Sequence, residues 1–238
     1  AKEYNISAKE GDSRVAIELI AKFGLKIISK FNGMFAIVIY DRKKNKTYLI
    51  RDRLGTKPLY YSKKQNSIYF ASEIKALPVK KNIDSDIVSD YLDFGKYPKI
   101  KSFFKKIYNV PPSSIIEISK NEFNIKKYFD IKKEVLQKSR TKFDKGKFNE
   151  LLKNAILIRQ RSDKKINFHL SGGIDSTSLL IFTKDNWSSK YKINSSSFSY
   201  YGYKDDEYKF IKNISKKLKL KNNKVTLYPN EVPQLAEK

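Results

Sequence analysis

The sequence has no cysteine among its 238 residues, and it has only one histidine and one tryptophan. The lack of cysteine excludes disulfide bonds, thiolate metal sites and a cysteine nucleophile within these residues. It also fits a reducing compartment, so we expect a cytoplasmic protein. No run of 18 apolar residues occurs, so we expect no membrane span and no membrane partner.

Acidic residues are outnumbered two to one, with 25 Asp and Glu against 50 Lys and Arg and a net charge of +25. An excess of this kind is common in proteins that bind nucleic acids. Here the charge is mostly lysine, spread along the chain, whereas arginine, the preferred reader of phosphates and base edges, is scarce. We therefore interpret the charge as a compositional bias and expect no specific nucleic-acid partner. A basic nucleic-acid-binding protein is the alternative, and it predicts steeply salt-dependent binding.

The most informative stretch is residues 170–176, with the sequence Leu-Ser-Gly-Gly-Ile-Asp-Ser. An apolar run precedes it and a helix-forming run follows, which predicts a strand, a tight turn and a helix N-terminus, the arrangement that binds phosphate. Two glycines let the backbone approach an anion, and Ser171 and Ser176 offer hydroxyl groups, of which Ser176 can also cap the helix. Asp175 beside a phosphate suggests Mg²⁺. A plain strand-to-helix turn with a serine cap remains the alternative.

Strand-forming residues dominate from 34 to 129, with few helices between them, which indicates an α+β domain. We expect a helix ending at Gly24, a hairpin over 34–51, a strand pair over 59–71, a helix over 86–94 and short strands up to 129. Residues 130–145 are polar and lack clear periodicity, so we interpret them as a linker. The predicted boundaries are thus a domain at 1–129, a linker at 130–145 and a domain at 146–238.

The last part of the chain predicts an α/β domain. Apolar residues from Phe148 to Ile156 follow helical spacing. Strand candidates at 166–170, 193–201 and 225–228 alternate with helix candidates at 177–182 and 206–220. This β-α-β-α-β order predicts a parallel sheet, with the 170–176 stretch at the carboxyl end of its first strand, where such sheets bind ligands.

Several motifs, in order, resemble the glutamine-hydrolysing asparagine synthetase family. Their sequences are Asn-Gly-Met-Phe-Ala at 32–36, Arg-Asp-Arg-Leu-Gly-Thr-Lys-Pro-Leu-Tyr-Tyr at 51–61 and Ala-Ser-Glu-Ile-Lys-Ala-Leu at 71–77. The stretch at 171–176 is similar to the family's ATP-pyrophosphatase signature. The resemblance extends from about Asp12 to about Val225, which is nearly the whole chain.

This resemblance implies a glutaminase domain of the αββα, N-terminal-nucleophile type, followed by the start of an ATP-pyrophosphatase domain with an adenine nucleotide α-hydrolase-like parallel sheet. It implies a ligase that takes ammonia from glutamine, adenylates a carboxylate with ATP, releases pyrophosphate and forms an amide. The carboxylate would be aspartate, or in related amidotransferases a surface-polysaccharide or β-lactam precursor. ATP and Mg²⁺ are the implied cofactors, and a homodimer is a possible assembly.

Carried over by position, the resemblance implies a glutamine contact at Asp12 and an Mg²⁺ ligand at Asp175. Seven residues are implied to bind ATP or pyrophosphate: Leu170, Ser171, Gly172, Gly173, Asp175, Ser176 and Tyr200. Two of these assignments have structural alternatives, a helix N-cap for Asp12 and core strand packing for Tyr200.

Other polar residues invite a structural interpretation. For Arg51, Asp52 and Arg53 we favour a buried ion-pair or turn role over catalysis. Asp206 and Glu207 suit a helix N-terminus, and we expect His169 to be packed in its strand.

No catalytic residue can be assigned, because the family's glutaminase nucleophile is an N-terminal cysteine. The sequence therefore predicts that these residues are an internal piece of a longer amidotransferase, inactive alone as a ligase and unable to release glutamate from glutamine.

Overall fold

The computed structural model describes residues 11–96, 100–138, 142–160, 162, 164–187, 192–204 and 206–231. The chain divides into two compact units, Ala1–Arg140 and Thr141–Lys238. Within the described residues, no helix combines the length and the apolar character that a bilayer crossing requires.

The first unit contains two antiparallel sheets. One sheet has the order β1-β2-β6-β7 and the other has the order β4-β3-β5. The strands are β1 (Ala36–Asp41), β2 (Lys46–Arg51), β3 (Tyr60–Lys64), β4 (Ser67–Ala71), β5 (Ile107–Asn109), β6 (Ser114–Ile118) and β7 (Phe123–Lys127). The helices are α1 (Asp12–Phe23), α2 (Ser85–Phe94) and α3 (Ile131–Lys138), with 3-10 helices at Leu25–Lys30 and Ile74–Ala76.

The two faces of β2 carry two separate hydrophobic clusters. Leu49 joins a cluster with Leu59, Tyr61, Val110 and Ile116, whereas its neighbours Tyr48 and Ile50 pack with Ile28 of the 3-10 helix. This division follows from the strand period, because successive side chains point to opposite faces of a sheet. Burial on both faces makes β2 the most deeply packed strand of its sheet, with the pattern intermediate, intermediate, buried, buried, buried, intermediate.

The predicted hairpins are present in this unit. Strand β1 pairs with β2 from Ala36–Arg51 to Asp41–Lys46, and β3 pairs with β4 around a two-residue turn at Gln65 and Asn66. The prediction for 130–145 missed a helix, because α3 occupies Ile131–Lys138. Its start depends on Asp130, whose Oδ1 accepts the N–H groups of Lys132 and Lys133. This capping signal is chemical rather than periodic, so the hydrophobic pattern did not reveal the helix.

The second unit contains a parallel sheet of the order β10-β9-β8. Its elements are α4 (Lys145–Arg159), β8 (Asn167–His169), α5 (Ile174–Asp185), β9 (Asn194–Tyr200), α6 (Tyr208–Lys217) and β10 (Lys221–Leu227). Both strand pairs are parallel, as the β-α-β-α-β order predicts. The core of this unit is formed by Leu170, which follows β8, by Leu180 of α5 and by Ile211 of α6.

One face of β9 is lined with small hydroxyl side chains. Ser195, Ser197 and Ser199 are buried, whereas Phe198 and Tyr200 on the opposite face are about half exposed, at 50% and 51%. The hydroxyl groups are satisfied within the unit, because Ser195 donates to the carbonyl of Lys221 and Ser197 to that of Leu170. Small residues on this face leave room for α6, which packs on β9.

Candidate functional site

The loop at 171–176 begins where β8 ends, and Leu170 anchors its start. The Leu170 side chain is 2% exposed and packs in the core. Its N–H donates to the carbonyl of Ser196 at 3.0 Å, and its carbonyl accepts the Ser197 hydroxyl at 2.6 Å. Both backbone groups of Leu170 are therefore engaged with β9, and its assignment as a nucleotide contact stays a prediction.

The loop is closed by its two serines. The hydroxyl oxygens of Ser171 and Ser176 lie 3.0 Å apart, and the Ser171 N–H donates to Ser176 Oγ at 3.3 Å. Ser171 Oγ also accepts the N–H of Gly173 at 3.4 Å, and Ser176 Oγ donates to the Gly173 carbonyl at 3.3 Å. These weak, exposed contacts bring the two hydroxyl groups together at the start of α5, where they can turn toward an anion.

Gly172 has a φ of +87°, in the left-handed region that favours glycine. A Cβ at this position would lie 3.3 Å from Cγ1 of Ile211 and 3.5 Å from Cβ of Glu207. The loop thus lies close to the first turn of α6, and the positive φ together with this close approach favours glycine at position 172.

The N-cap of α5 is Gly173, so the expectation that Ser176 caps this helix is wrong. Ser176 is the third helical residue, and its hydroxyl donates back to the Gly173 carbonyl instead. The first-turn N–H groups of a helix have no acceptor within the helix, and the helix dipole adds positive character there. Asp175 lies in this first turn with its side chain exposed, beside Ile174, which is 84% exposed.

The carboxyl end of β9 lies beside this loop, because β8 and β9 are adjacent and parallel. Tyr200 ends β9 and is 51% exposed, so the alternative of core packing is wrong for this residue. Its ring lies 6.5 Å from that of Tyr203, which the sequence analysis missed because no periodic or motif signal marks it.

Asp206 connects the end of β9 to the start of α6. Its Oδ2 accepts the Ser199 hydroxyl at 2.5 Å, and its Oδ1 accepts the N–H of Tyr208 at 3.0 Å. The Ser199 hydrogen bond holds the pKa of Asp206 below its usual range, with smaller contributions from the Tyr208 N–H and the Lys224 charge. The predicted helix N-terminal role fits Asp206, whereas Glu207 occupies the N-cap position with an exposed side chain.

His169 does not pack in its strand as expected. Its side chain is exposed, and the register pairs it with Ser196, on the sheet face opposite Ser195 and Ser197. Among the described residues, no group of three or more His, Asp or Glu side chains could hold a metal ion. Within the loop at 171–176, Asp175 is the one residue with a carboxylate side chain.

In the first unit, Asp52 organises the loop that follows β2. Its side chain is 1% exposed, and its two oxygens accept four backbone N–H groups at 2.9–3.3 Å, those of Phe35, Leu54, Thr56 and Lys57. Burial opposes ionisation of the carboxyl, but the four N–H groups outweigh it and lower the pKa of Asp52. The predicted turn role is confirmed for this residue.

The neighbouring arginines also bond to the backbone. Arg51 donates to the carbonyls of Gly55, Lys57 and Val110 at 2.7–2.8 Å. Arg53 donates to the carbonyl of Ser29 at 2.7 Å, and its guanidinium lies 4.5 Å from the centre of the Phe129 ring. The loop is therefore organised by charge-to-backbone hydrogen bonds, and the ion-pair version of the prediction does not describe these contacts.

Asp12 is the first residue of α1, and Gly11 occupies the N-cap position. The alternative that Asp12 caps the helix is therefore wrong. Its side chain is exposed, and the glutamine contact stays a prediction.

Two protein families match the chain, in the same order as the two units. Residues 2–129 match the family described as glutamine amidotransferase domain, and residues 147–238 match the family described as asparagine synthase.

Individual relatives give the same result. A Methanocaldococcus jannaschii protein named after the glutamine-hydrolyzing asparagine synthetases is 29% identical over 100% of this chain and 47% of its own length. Asparagine synthetase (glutamine-hydrolyzing) 1 of Bacillus subtilis is 30% identical over 78% of this chain and 30% of its own length. Amidase chry2 of Gibberella zeae is 31% identical over 71% of this chain and 26% of its own length. The chain thus spans about half or less of the length of these relatives.

Proposed function

Since the chain belongs to the glutamine-hydrolysing asparagine synthetase family, we propose that its second unit binds ATP through the 171–176 loop for glutamine-dependent amide formation. In this reaction a carboxylate is adenylated, pyrophosphate leaves, and ammonia displaces AMP to give the amide. We further propose the family's finer folds for the two units, an αββα glutaminase and an adenine nucleotide α-hydrolase-like sheet.

The observation that carries the proposal is the pair of serine hydroxyl groups at the N-terminus of α5. Ser171 Oγ and Ser176 Oγ lie 3.0 Å apart on an exposed loop that starts at the carboxyl end of a parallel strand. Donors and a helix dipole aimed at one point stabilise the charge that develops on a leaving pyrophosphate. Gly172 supports the same geometry, because its φ of +87° gives the backbone the turn that joins the strand to the helix.

Asp175 fits Mg²⁺ in this site. Mg²⁺ is usually held by one or two carboxylates together with phosphate oxygens and water, and one exposed carboxylate beside the phosphate loop meets that need. When bound, the ion would neutralise phosphate charge as pyrophosphate leaves. Tyr200 would then face the base, since its half-exposed ring lies at the same edge of the sheet.

The carboxylate acceptor has two candidates. Aspartate is favoured by the relatives named asparagine synthetases. A different carboxylate is the second candidate, since two relatives carry the name amidase and not asparagine synthetase: chry2 of Gibberella zeae and chyE of Penicillium rubens, each 31% identical over 71% of this chain. ATP–pyrophosphate exchange on the longest natural polypeptide that contains this chain, with aspartate against other carboxylic acids, distinguishes the two.

Binding of ATP tests the loop itself. Calorimetric titration with ATP and Mg²⁺ should show saturable binding, and a Ser171→Ala, Ser176→Ala double variant should bind at least about tenfold more weakly. The absence of saturable binding by the unmodified chain, checked by calorimetry, would remove the proposal.

A further inference from the structure

A side-chain hydrogen bond joins the end of β9 to the residues just before α6. Ser199, the second-last residue of β9, donates its hydroxyl hydrogen bond to Asp206 at 2.5 Å, just before α6. Ser199 is 2% exposed and Asp206 is partly exposed, so this contact is partly buried. Asp206 also accepts the N–H of Tyr208 in the first turn of α6.

Two backbone hydrogen bonds link Tyr200, Tyr203 and Asp206. The N–H of Tyr203 donates to the carbonyl of Tyr200, and the N–H of Asp206 donates to the carbonyl of Tyr203, both at 3.3 Å. These turns place the Tyr200 and Tyr203 rings 6.5 Å apart at an interplanar angle of 59°. Both rings are exposed, at 51% and 67%, although tyrosine rings usually bury much of their surface.

The start of α6 also lies against the loop at 171–176. Glu207, next to Asp206, lies against Gly172, since a Cβ on that glycine would lie 3.5 Å from Glu207 Cβ and 3.6 Å from its carbonyl oxygen. On the other side, Ser197 fixes Leu170, the residue before the loop. The end of β9 and the start of α6 therefore position both the Tyr200–Tyr203 pair and the loop at 171–176.

We propose that Ser199 and Asp206 are positioning residues, which hold Tyr200 and Tyr203 as the base-contacting edge of the nucleotide site. The inference rests on the proposed function, because it assumes that the phosphates occupy the 171–176 loop. It adds to that function a second aromatic residue, Tyr203, and a hydrogen bond between Ser199 and Asp206 that orients the two rings. A flat, π-rich ligand such as adenine can stack on one exposed ring and contact the other ring edge-on, since the two planes are tilted by 59°.

The test compares ATP with inorganic pyrophosphate, which has no base. We expect Ser199→Ala to weaken ATP binding about tenfold and to leave pyrophosphate binding within about twofold of the unmodified chain. Tyr203→Leu should give the same selective loss, since it removes one ring and leaves the phosphate loop in place. Ser199→Thr, which keeps a hydroxyl group and suits a strand, should restore ATP binding.

Ser215→Ala is the matched control. Ser215 is a buried serine of the same unit, 7% exposed, and its hydroxyl finds no partner among the described residues. This variant should bind both ligands like the unmodified chain. A double-mutant cycle should show that Ser199→Ala and Asp206→Ala are not additive, because each removes the same hydrogen bond.

The outcomes separate the inference from the function on which it rests. If the unmodified chain binds neither ligand, the proposed function fails and the inference fails with it. If the unmodified chain binds ATP but Ser199→Ala binds it equally well, or loses ATP and pyrophosphate in step, only the positioning role is overturned. Selective loss of ATP in both Ser199→Ala and Tyr203→Leu, with rescue by Ser199→Thr, supports it.

Discussion

Two loops of this chain each contain an aspartate and a glycine with positive φ, and the surroundings of the two aspartates differ. The loop at 51–57 and the loop at 170–176 each leave the end of a strand, and each holds a glycine with positive φ, +68° at Gly55 and +87° at Gly172. In the first loop, Asp52 is 1% exposed and accepts four backbone N–H groups. In the second loop, Asp175 is exposed at a helix start.

The difference shows how a structural carboxylate is distinguished from one that can serve a ligand. A buried carboxylate must find donors inside the protein, and Asp52 finds them in its own loop. The second loop is held by the Ser171 and Ser176 hydroxyl groups instead, so its carboxylate is left to the solvent.

Asp52→Asn should destabilise the first unit by about 3 kcal/mol. The amide replaces one acceptor oxygen with a donor group that faces backbone N–H groups, so buried donors lose their partner. Urea unfolding followed by far-UV circular dichroism measures the loss, while Trp187 fluorescence reports on the second unit alone. A loss below about 1 kcal/mol would mean that the four hydrogen bonds do not stabilise the loop as inferred.

Asp175→Asn, the same chemical change in the other loop, should leave the urea midpoint of Trp187 fluorescence nearly unchanged, within about 0.5 kcal/mol. ATP binding in Mg²⁺ should weaken about thirtyfold, which corresponds to about 2 kcal/mol. Calorimetry with and without Mg²⁺ measures this, and the variant should lose most of the Mg²⁺ dependence. If Asp175→Asn clearly lowers the urea midpoint of the second unit, or leaves ATP binding in Mg²⁺ unchanged, the contrast between the two aspartates is wrong.

Alanine at the two glycines should show that the first loop is also the tighter one. At Gly55 a Cβ would lie 2.9 Å from Pro112 Cγ and 3.2 Å from Arg51 Cζ, whereas at Gly172 the nearest atom is Ile211 Cγ1 at 3.3 Å. We expect Gly55→Ala to cost about 2 kcal/mol and Gly172→Ala about 1.5 kcal/mol in urea unfolding.

Gly202→Ala is the control for backbone strain alone, since Gly202 has a φ of +76° and a Cβ there would meet no atom within 4 Å among the described residues. It should cost about 1 kcal/mol. Equal losses at all three glycines would show that close approach adds nothing to the cost.

The smallest effect is expected in the pH dependence of stability. The pKa of Asp52 is lowered in the folded protein, so its ionisation stabilises the fold above the unfolded pKa of about 3.9. This contribution should be lost as the pH falls below that value through the folded pKa. The urea midpoint of the unmodified chain should therefore drop more steeply between about pH 5 and pH 3 than that of Asp52→Asn. Parallel curves would contradict the assignment.

Much of the fold followed from the order of patterns along the chain. Alternating and continuous apolar runs predicted both hairpins of the first unit and the parallel β-α-β-α-β order of the second. Helix α3 was missed because Asp130 starts it through hydrogen bonds to N–H groups, without a strong apolar period.

The candidate site was predicted as a motif rather than as a geometry. The strand, turn and helix around 171–176 were expected, but Ser176 was expected as the cap that Gly173 provides. His169 was expected to be packed and is exposed, because strand position alone does not say which face is covered. Tyr203 and the Ser199–Asp206 contact carried no signal, since residues seven apart meet only when the segment between them turns back.

Local residue types and their spacing were enough to predict the family, the order of the two units along the chain and the strand, turn and helix around 170–176. Which carboxylates remain accessible to solvent or a ligand depends on how the chain packs around them. Asp52 and Asp175 are the same residue in two glycine-containing loops, but the first is enclosed by four N–H groups and the second faces solvent. Burial and hydrogen-bond satisfaction depend on what the rest of the chain brings around a side chain, and local sequence does not encode that surrounding directly.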